Sequence, residues 1–135
     1  MESAHQEISE WKTHILTRPT KRALDFLARA QWIKRSRWYL AGGTALALHA
    51  GHRRSIDLDF FSPSSDFSIP LLIKHFPKDV LKVHVAKEGT IYAILLGAKI
   101  SFIAYPFFYP KQPCKLYGAV RILASEDIAV MKIVA

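Results

Sequence analysis

Residues 40–61 read Leu-Ala-Gly-Gly-Thr-Ala-Leu-Ala-Leu-His-Ala-Gly-His-Arg-Arg-Ser-Ile-Asp-Leu-Asp-Phe-Phe, and they decide the fold. Gly42-Gly43 breaks an extended entry at Tyr39 to Ala41 and opens a short helix over Thr44 to His49. Ser55 to Phe61 then alternate as a strand, with Ile56, Leu58 and Phe60 on one face and Ser55, Asp57 and Asp59 on the other. Two aspartates at i and i+2 place like charges with Cα atoms roughly 6–7 Å apart. That arrangement is unfavourable until a divalent cation lies between them. The glycines allow a triphosphate to approach the backbone, and the following helix aims free N–H groups at it. The Thr44 hydroxyl adds a phosphate hydrogen bond, and Arg53 or Arg54 supplies a charged fork for the triphosphate or the acceptor. The stretch therefore predicts a site for a metal-bound nucleoside triphosphate.

Outward from this segment, Thr20 to Arg37 reads as one amphipathic helix, with Ala23, Leu24, Leu27, Ala30 and Ile33 at helical spacing, Thr20 as cap and Pro19 just before it. Ile69 to Phe76 predicts a second short helix after the Ser62–Ser65 loop. Val80 to Ala86, Thr90 to Leu96 and Ala98 to Tyr105 predict strands joined at Lys87-Glu88-Gly89 and Gly97. A Pro- and aromatic-rich stretch, Tyr105 to Pro113, leads to a last strand at Ala119 to Leu123. Within it Phe107 and Phe108 are expected to form a lid or a partner surface. Ser125 caps a final helix over 125–135 whose first turn carries Glu126 and Asp127, as the helix dipole favours. That helix runs into Ile-Val-Ala without a stop signal, so the chain is expected to be cut short there.

At 135 residues, 50% hydrophobic and 22% charged, the chain is expected to be one folded domain, residues 1–135. Its parts are the helix over 20–37, a donor-site core over 38–62, a sheet over 80–123 and the last helix. The single cysteine, Cys114, excludes an internal disulfide and a multi-cysteine zinc site. No run reaches the roughly 18–20 apolar residues that span a bilayer, and the polar N-terminus is no signal peptide. A cytoplasmic protein without membrane association is expected. The net charge of +8 favours polyanionic partners, RNA or nucleotides foremost.

Tyr-Leu-Ala-Gly-Gly-Thr-Ala-Leu-Ala-Leu-His, followed by His-Arg-Arg-Ser-Ile-Asp-Leu-Asp-Phe-Phe-Ser, resembles the AbiEii/AbiGii toxin family of nucleotidyltransferases. These are the toxins of type IV toxin–antitoxin and abortive-infection systems, within the polymerase-β-like superfamily. Gly97 to Phe107 and Ala124 to Lys132 extend the resemblance, which covers most of 38–135. It implies an α/β (α+β) fold, a polymerase-β-like palm with a mixed sheet flanked by helices. It also implies magnesium, an NTP donor, a cognate antitoxin, and transfer of NMP to an acceptor such as the tRNA 3′ end or a protein. On this pattern Gly42, Gly43 and Thr44 bind the donor, Asp57 and Asp59 hold the metal, and Lys132 reaches the triphosphate or acceptor. Two departures stand out. Ser101 occupies the strand position where many members carry a third carboxylate, and the chain ends before the family's later motifs. A relative that only binds nucleotide, RNA or an antitoxin is therefore the alternative reading, and a nucleotidylase of small molecules a third.

The remaining candidates are weaker. His49 and His52, three apart, lack a third metal ligand at suitable spacing and read as packed or surface histidines. Trp32 and Trp38 are expected in the core.

Overall fold

Alternation along residues 57–62 and the apolar run at 39–41 put both segments in the middle of a seven-stranded mixed sheet. The computed structural model describes residues 11–51 and 56–134. The strands are β1 (Tyr39–Ala41), β2 (Asp57–Ser62), β3 (Leu81–Lys87), β4 (Thr90–Leu95), β5 (Ala98–Ala104), β6 (Lys115–Tyr117) and β7 (Val120–Ile122), in the order β3-β4-β5-β2-β1-β7-β6. The β2–β5 and β1–β7 pairs are parallel, and the other four are antiparallel. The sheet thus extends beyond the expected 80–123, because β1 and β2 are its central strands. Flanking it are α1 (Arg18–Ala28), α2 (Gln31–Lys34), α3 (Gly42–Ala50), α4 (Ile69–Lys74) and α5 (Ser125–Val134).

The single helix expected over 20–37 is two helices. Thr17, not Thr20, caps α1, its side chain accepting from the Thr20 N–H, and Pro19 sits inside the first turn. The break follows Ala28, where Ala30 is extended and the Ala28 carbonyl accepts from the Ala119 N–H at 2.8 Å. Gly118, at φ +56°, makes that docking possible, since a Cβ there would lie 2.6 Å from the Ala28 carbonyl oxygen. A contact 90 residues away in sequence therefore ends the helix.

One sheet face is closed. Leu58, Phe60, Ile91, Leu95, Ile100 and Phe102 are buried in one cluster with Ala23, Leu24 and Leu27 of α1. Phe60 stacks on Phe102 at 5.4 Å, and Trp38 meets Phe102 edge-on at 5.2 Å. Burying each such side chain contributes about 1.5–3 kcal/mol. A one-residue slip of β2 would exchange Leu58 and Phe60 for Asp57 and Asp59, so the register is strongly fixed. The core thereby commits both aspartates to the opposite face.

The 105–113 stretch divides, and Phe108 does not share the surface role expected of both phenylalanines. Phe107 is exposed, whereas Phe108 is buried. The loop is pinned by the buried Asp127 carboxylate of α5, which accepts from the N–H groups of Lys111 at 2.9 Å and Gln112 at 2.8 Å.

Candidate active site

Strand register assembles the site. Ala41 of β1 pairs with Asp59, and on the other side of β2 Asp57 pairs with Lys99 and Asp59 with Ser101. Asp57 is exposed and Asp59 half-buried. Burial first of all pushes the Asp59 carboxyl above its ordinary value, and the neighbouring Asp57 charge adds to this. The Ser101 hydroxyl opposes the shift by donating to Asp59 Oδ1 at 2.8 Å. The pair is thus a partly desolvated dicarboxylate able to chelate a hard cation. Among the described residues no third His, Cys, Asp or Glu joins them in a metal-binding group.

β1 leads into α3 without an intervening loop. Gly42 makes this turn at φ +72°, and a Cβ there would sit 2.9 Å from Asp59 Oδ2. The backbone angle favours glycine, and the missing side chain leaves room for the Asp59 carboxylate. Ala41 gives α3 no side-chain cap, and Gly42, its first residue, lies against the Asp59 carboxylate, so the positive end of the helix dipole is beside the pair. Thr44 is buried, and its hydroxyl donates to the main-chain carbonyl of Asp57. This bond ties α3 to the aspartate strand.

A cleft of about 340 Å³ opens on the other flank of the aspartates, lined by Asp57, Asp59, His84, Tyr92, Ile94, Lys99 and Ser101, with Ala93 and Ile100. A bulge between Val83 and Val85 shifts the β3 register where His84 lies. Sequence reasoning missed His84, Tyr92 and Lys99. Which face they share with Asp57 depends on the pairing order of β2, β5 and β4.

Lys132 lies on α5, which packs against α3, while Arg53 and Arg54 lie outside the described residues. His49 is a packed histidine: its Nε2 lies 2.9 Å from the Leu123 carbonyl oxygen and its ring meets Trp11 edge-on. Among the described residues no helix is long and apolar enough to cross a membrane.

A Gly-Gly helix start thus abuts an Asp-x-Asp central strand, and comparison with known proteins gives the family. The family model described as "Nucleotidyl transferase AbiEii toxin, Type IV TA system" matches residues 25–116, and the chain belongs to this family. The "Uncharacterized protein aq_aa25" of Aquifex aeolicus (strain VF5) is 39% identical over 103 residues, covering 73% of this chain and 49% of the relative. Two crystal structures share the fold. A "putative nucleotidyltransferase from H. pylori" matches with a TM-score of 0.54 at 19% identity, over 85% of this chain and 59% of that one. JHP933 from Helicobacter pylori matches with a TM-score of 0.53 at 18% identity, over 87% and 57%. The chain spans about half the length of the Aquifex relative and under two thirds of each solved chain.

Proposed function

We propose that this chain carries the donor site of a magnesium-dependent nucleotidyltransferase, which moves an NMP from an NTP to an acceptor hydroxyl on RNA, such as tRNA, or on protein. It acts in the cytoplasm as the toxin of a toxin–antitoxin or abortive-infection system and is restrained by a cognate antitoxin. The observation that carries this reading is the abutment of the Gly42 turn, the α3 N-terminus and the Asp57–Asp59 pair, together with family membership.

Asp57 and Asp59 fit magnesium, because a cation offsets both the mutual repulsion and the desolvation that raise the Asp59 carboxyl. When bound, magnesium supplies charge to the phosphate oxygens in the transition state. The chain's own contributions are then separable. Gly42 and Gly43 admit the triphosphate, and the α3 N-terminus stabilises its negative charge. Thr44 holds α3 to the Asp57 strand. Arg53 or Arg54 and Lys132 neutralise the departing pyrophosphate. The acceptor oxygen attacks the α-phosphorus in line. A new P–O bond forms, the bond to the bridging α–β oxygen breaks, and the hydroxyl proton passes to solvent.

A second reading, binding of nucleotide, RNA or antitoxin without transfer, is favoured by one observation: Ser101, not a carboxylate, sits beside Asp59. Radiolabelled NTPs, magnesium and total tRNA or cell protein separate the two. Transfer that vanishes in Asp57→Ala supports catalysis. Saturable NTP binding with no transfer to any acceptor supports the binder.

A further inference from the structure

The cleft beside the aspartates has a second property that the donor site does not use. Its walls come from β2, β5, β4 and β3, whereas the Gly42–Gly43 turn lies on the β1 side of Asp59. A triphosphate on the α3 N-terminus therefore leaves the β5 flank open. Cross-strand pairing carries one row over this flank, from Asp59 through Ser101 and Tyr92 to Val85, and a second from Asp57 through Lys99 and Ile94 to Lys82. Lys87 shares the same face through its pairing with Thr90. Lys82, Lys87, Lys99 and His84 are all exposed. Among the described residues Asp57 and Asp59 are the only acids in any strand, so charge on this face changes from negative at β2 to positive at Lys99 of β5 and Lys82 and Lys87 of β3, with uncharged β4 between.

Tyr92 stands on β4 between these lysine-bearing strands, 46% exposed. An aromatic ring on a sheet surface usually packs against a neighbouring element, and this one faces the cleft instead. Two strand spacings of about 4.8 Å place its Cα roughly 10 Å from that of Asp59. A single nucleotide covers this span when its 3′ oxygen lies at the carboxylate pair and its base over the ring. The aromatic side chain supplies a sequence-tolerant stacking surface, and the lysines supply phosphate contacts. At the other end of the face Phe61, Tyr105 and Phe107 make a row of edge-on ring contacts, at 6.0 and 5.3 Å. That row limits the open floor to the stretch beside the aspartates.

We propose that the β5–β4–β3 face is the acceptor platform, taking the 3′ end of single-stranded RNA with Tyr92 stacking on a terminal base and Lys82 and Lys99 holding the adjoining phosphates. The assignment rests on the donor-site reading for its direction, since the aspartates set where the hydroxyl must arrive. A protein acceptor fits less well, because nothing on this face selects a polypeptide, whereas the alternation of cation and exposed ring matches a polynucleotide.

The test is fluorescence anisotropy with a 5′-fluorescein 12-nucleotide single-stranded RNA, using the full chain and following magnesium-NTP binding separately by calorimetry. Tyr92→Ala is expected to weaken RNA binding roughly 10-fold and Tyr92→Phe to preserve it. Lys82→Ala and Lys99→Ala should each lower the slope of log affinity against log salt by about 0.7. Neither Tyr92 variant nor Lys82→Ala, all remote from Asp57, should alter NTP affinity, and circular dichroism of Tyr92→Ala and Lys99→Ala checks that the fold persists. RNA affinity unchanged by Tyr92→Ala and by the double variant Lys82→Ala/Lys99→Ala overturns the platform, as does transfer of label to protein but never to RNA. If Asp57→Ala leaves NTP binding intact while the platform variants still weaken RNA binding, the donor reading fails and the platform stands.

Discussion

Gly42→Ala tests the local geometry of the site most sharply, because its cost has two separable parts. Alanine at φ +72° costs roughly 1–2 kcal/mol from backbone strain alone. The new Cβ would also lie 2.9 Å from Asp59 Oδ2, a distance that real methyl groups do not tolerate. Since the obstacle is the end of a side chain, Asp59 rotates away and gives up the Ser101 hydroxyl at 2.8 Å. A hydrogen bond to a charged group contributes about 1.5–3 kcal/mol, so Gly42→Ala should cost roughly 2.5–5 kcal/mol in total. With Asp59→Ala in the background, the nearest remaining Asp59 atom is Cβ, at an ordinary 3.5 Å. Gly42→Ala should then cost only the strain, about 1–2 kcal/mol. Urea unfolding of the four proteins of this double-mutant cycle should therefore show a coupling of about 1.5–3 kcal/mol. An equal cost in both backgrounds, within about 0.5 kcal/mol, would refute the reasoning.

Other outcomes follow from the same contacts. Asp59 is held above its ordinary value in the fold, so the native state binds more protons than the unfolded chain, and stability falls as pH rises from the ordinary carboxylate range through the folded value. Calorimetric melting should accordingly show Asp59→Asn more stable than wild type at neutral pH, with the gap closing on acidification. Thr44→Val leaves the Asp57 carbonyl without its hydroxyl donor and should cost about 1–3 kcal/mol, while Thr44→Ser retains most of that stability in thermal melts. Asp127→Ala removes the acceptor of two main-chain N–H groups and should destabilise by about 2–3 kcal/mol. Hydrogen exchange at Lys111 and Gln112 should accelerate more than at the β2 amides.

The donor side was readable in the sequence because its signals are local. Alternation at 55–61 put Asp57 and Asp59 on one face, and the Gly-Gly pair marked the strand-to-helix turn. What the sequence concealed depends on distant pairing. The helix break after Ala28 is made by the Gly118–Ala119 turn, and three-residue β6 exists through its pairing with β7. The cleft escaped for the same reason, since Asp57 meets Lys99 only once β2 and β5 run parallel. The bond from the Thr44 hydroxyl to the Asp57 carbonyl was hidden likewise, because only the folded strand brings that carbonyl within reach.

The central claim is that Asp57 and Asp59 hold a metal-bound triphosphate against the α3 N-terminus. Titration calorimetry with a non-hydrolysable NTP, with and without magnesium, tests it directly on wild type, Asp57→Ala and Asp59→Ala. The account predicts saturable binding that requires magnesium and disappears in both variants. Binding of equal affinity without magnesium, or undiminished in both variants, would contradict it.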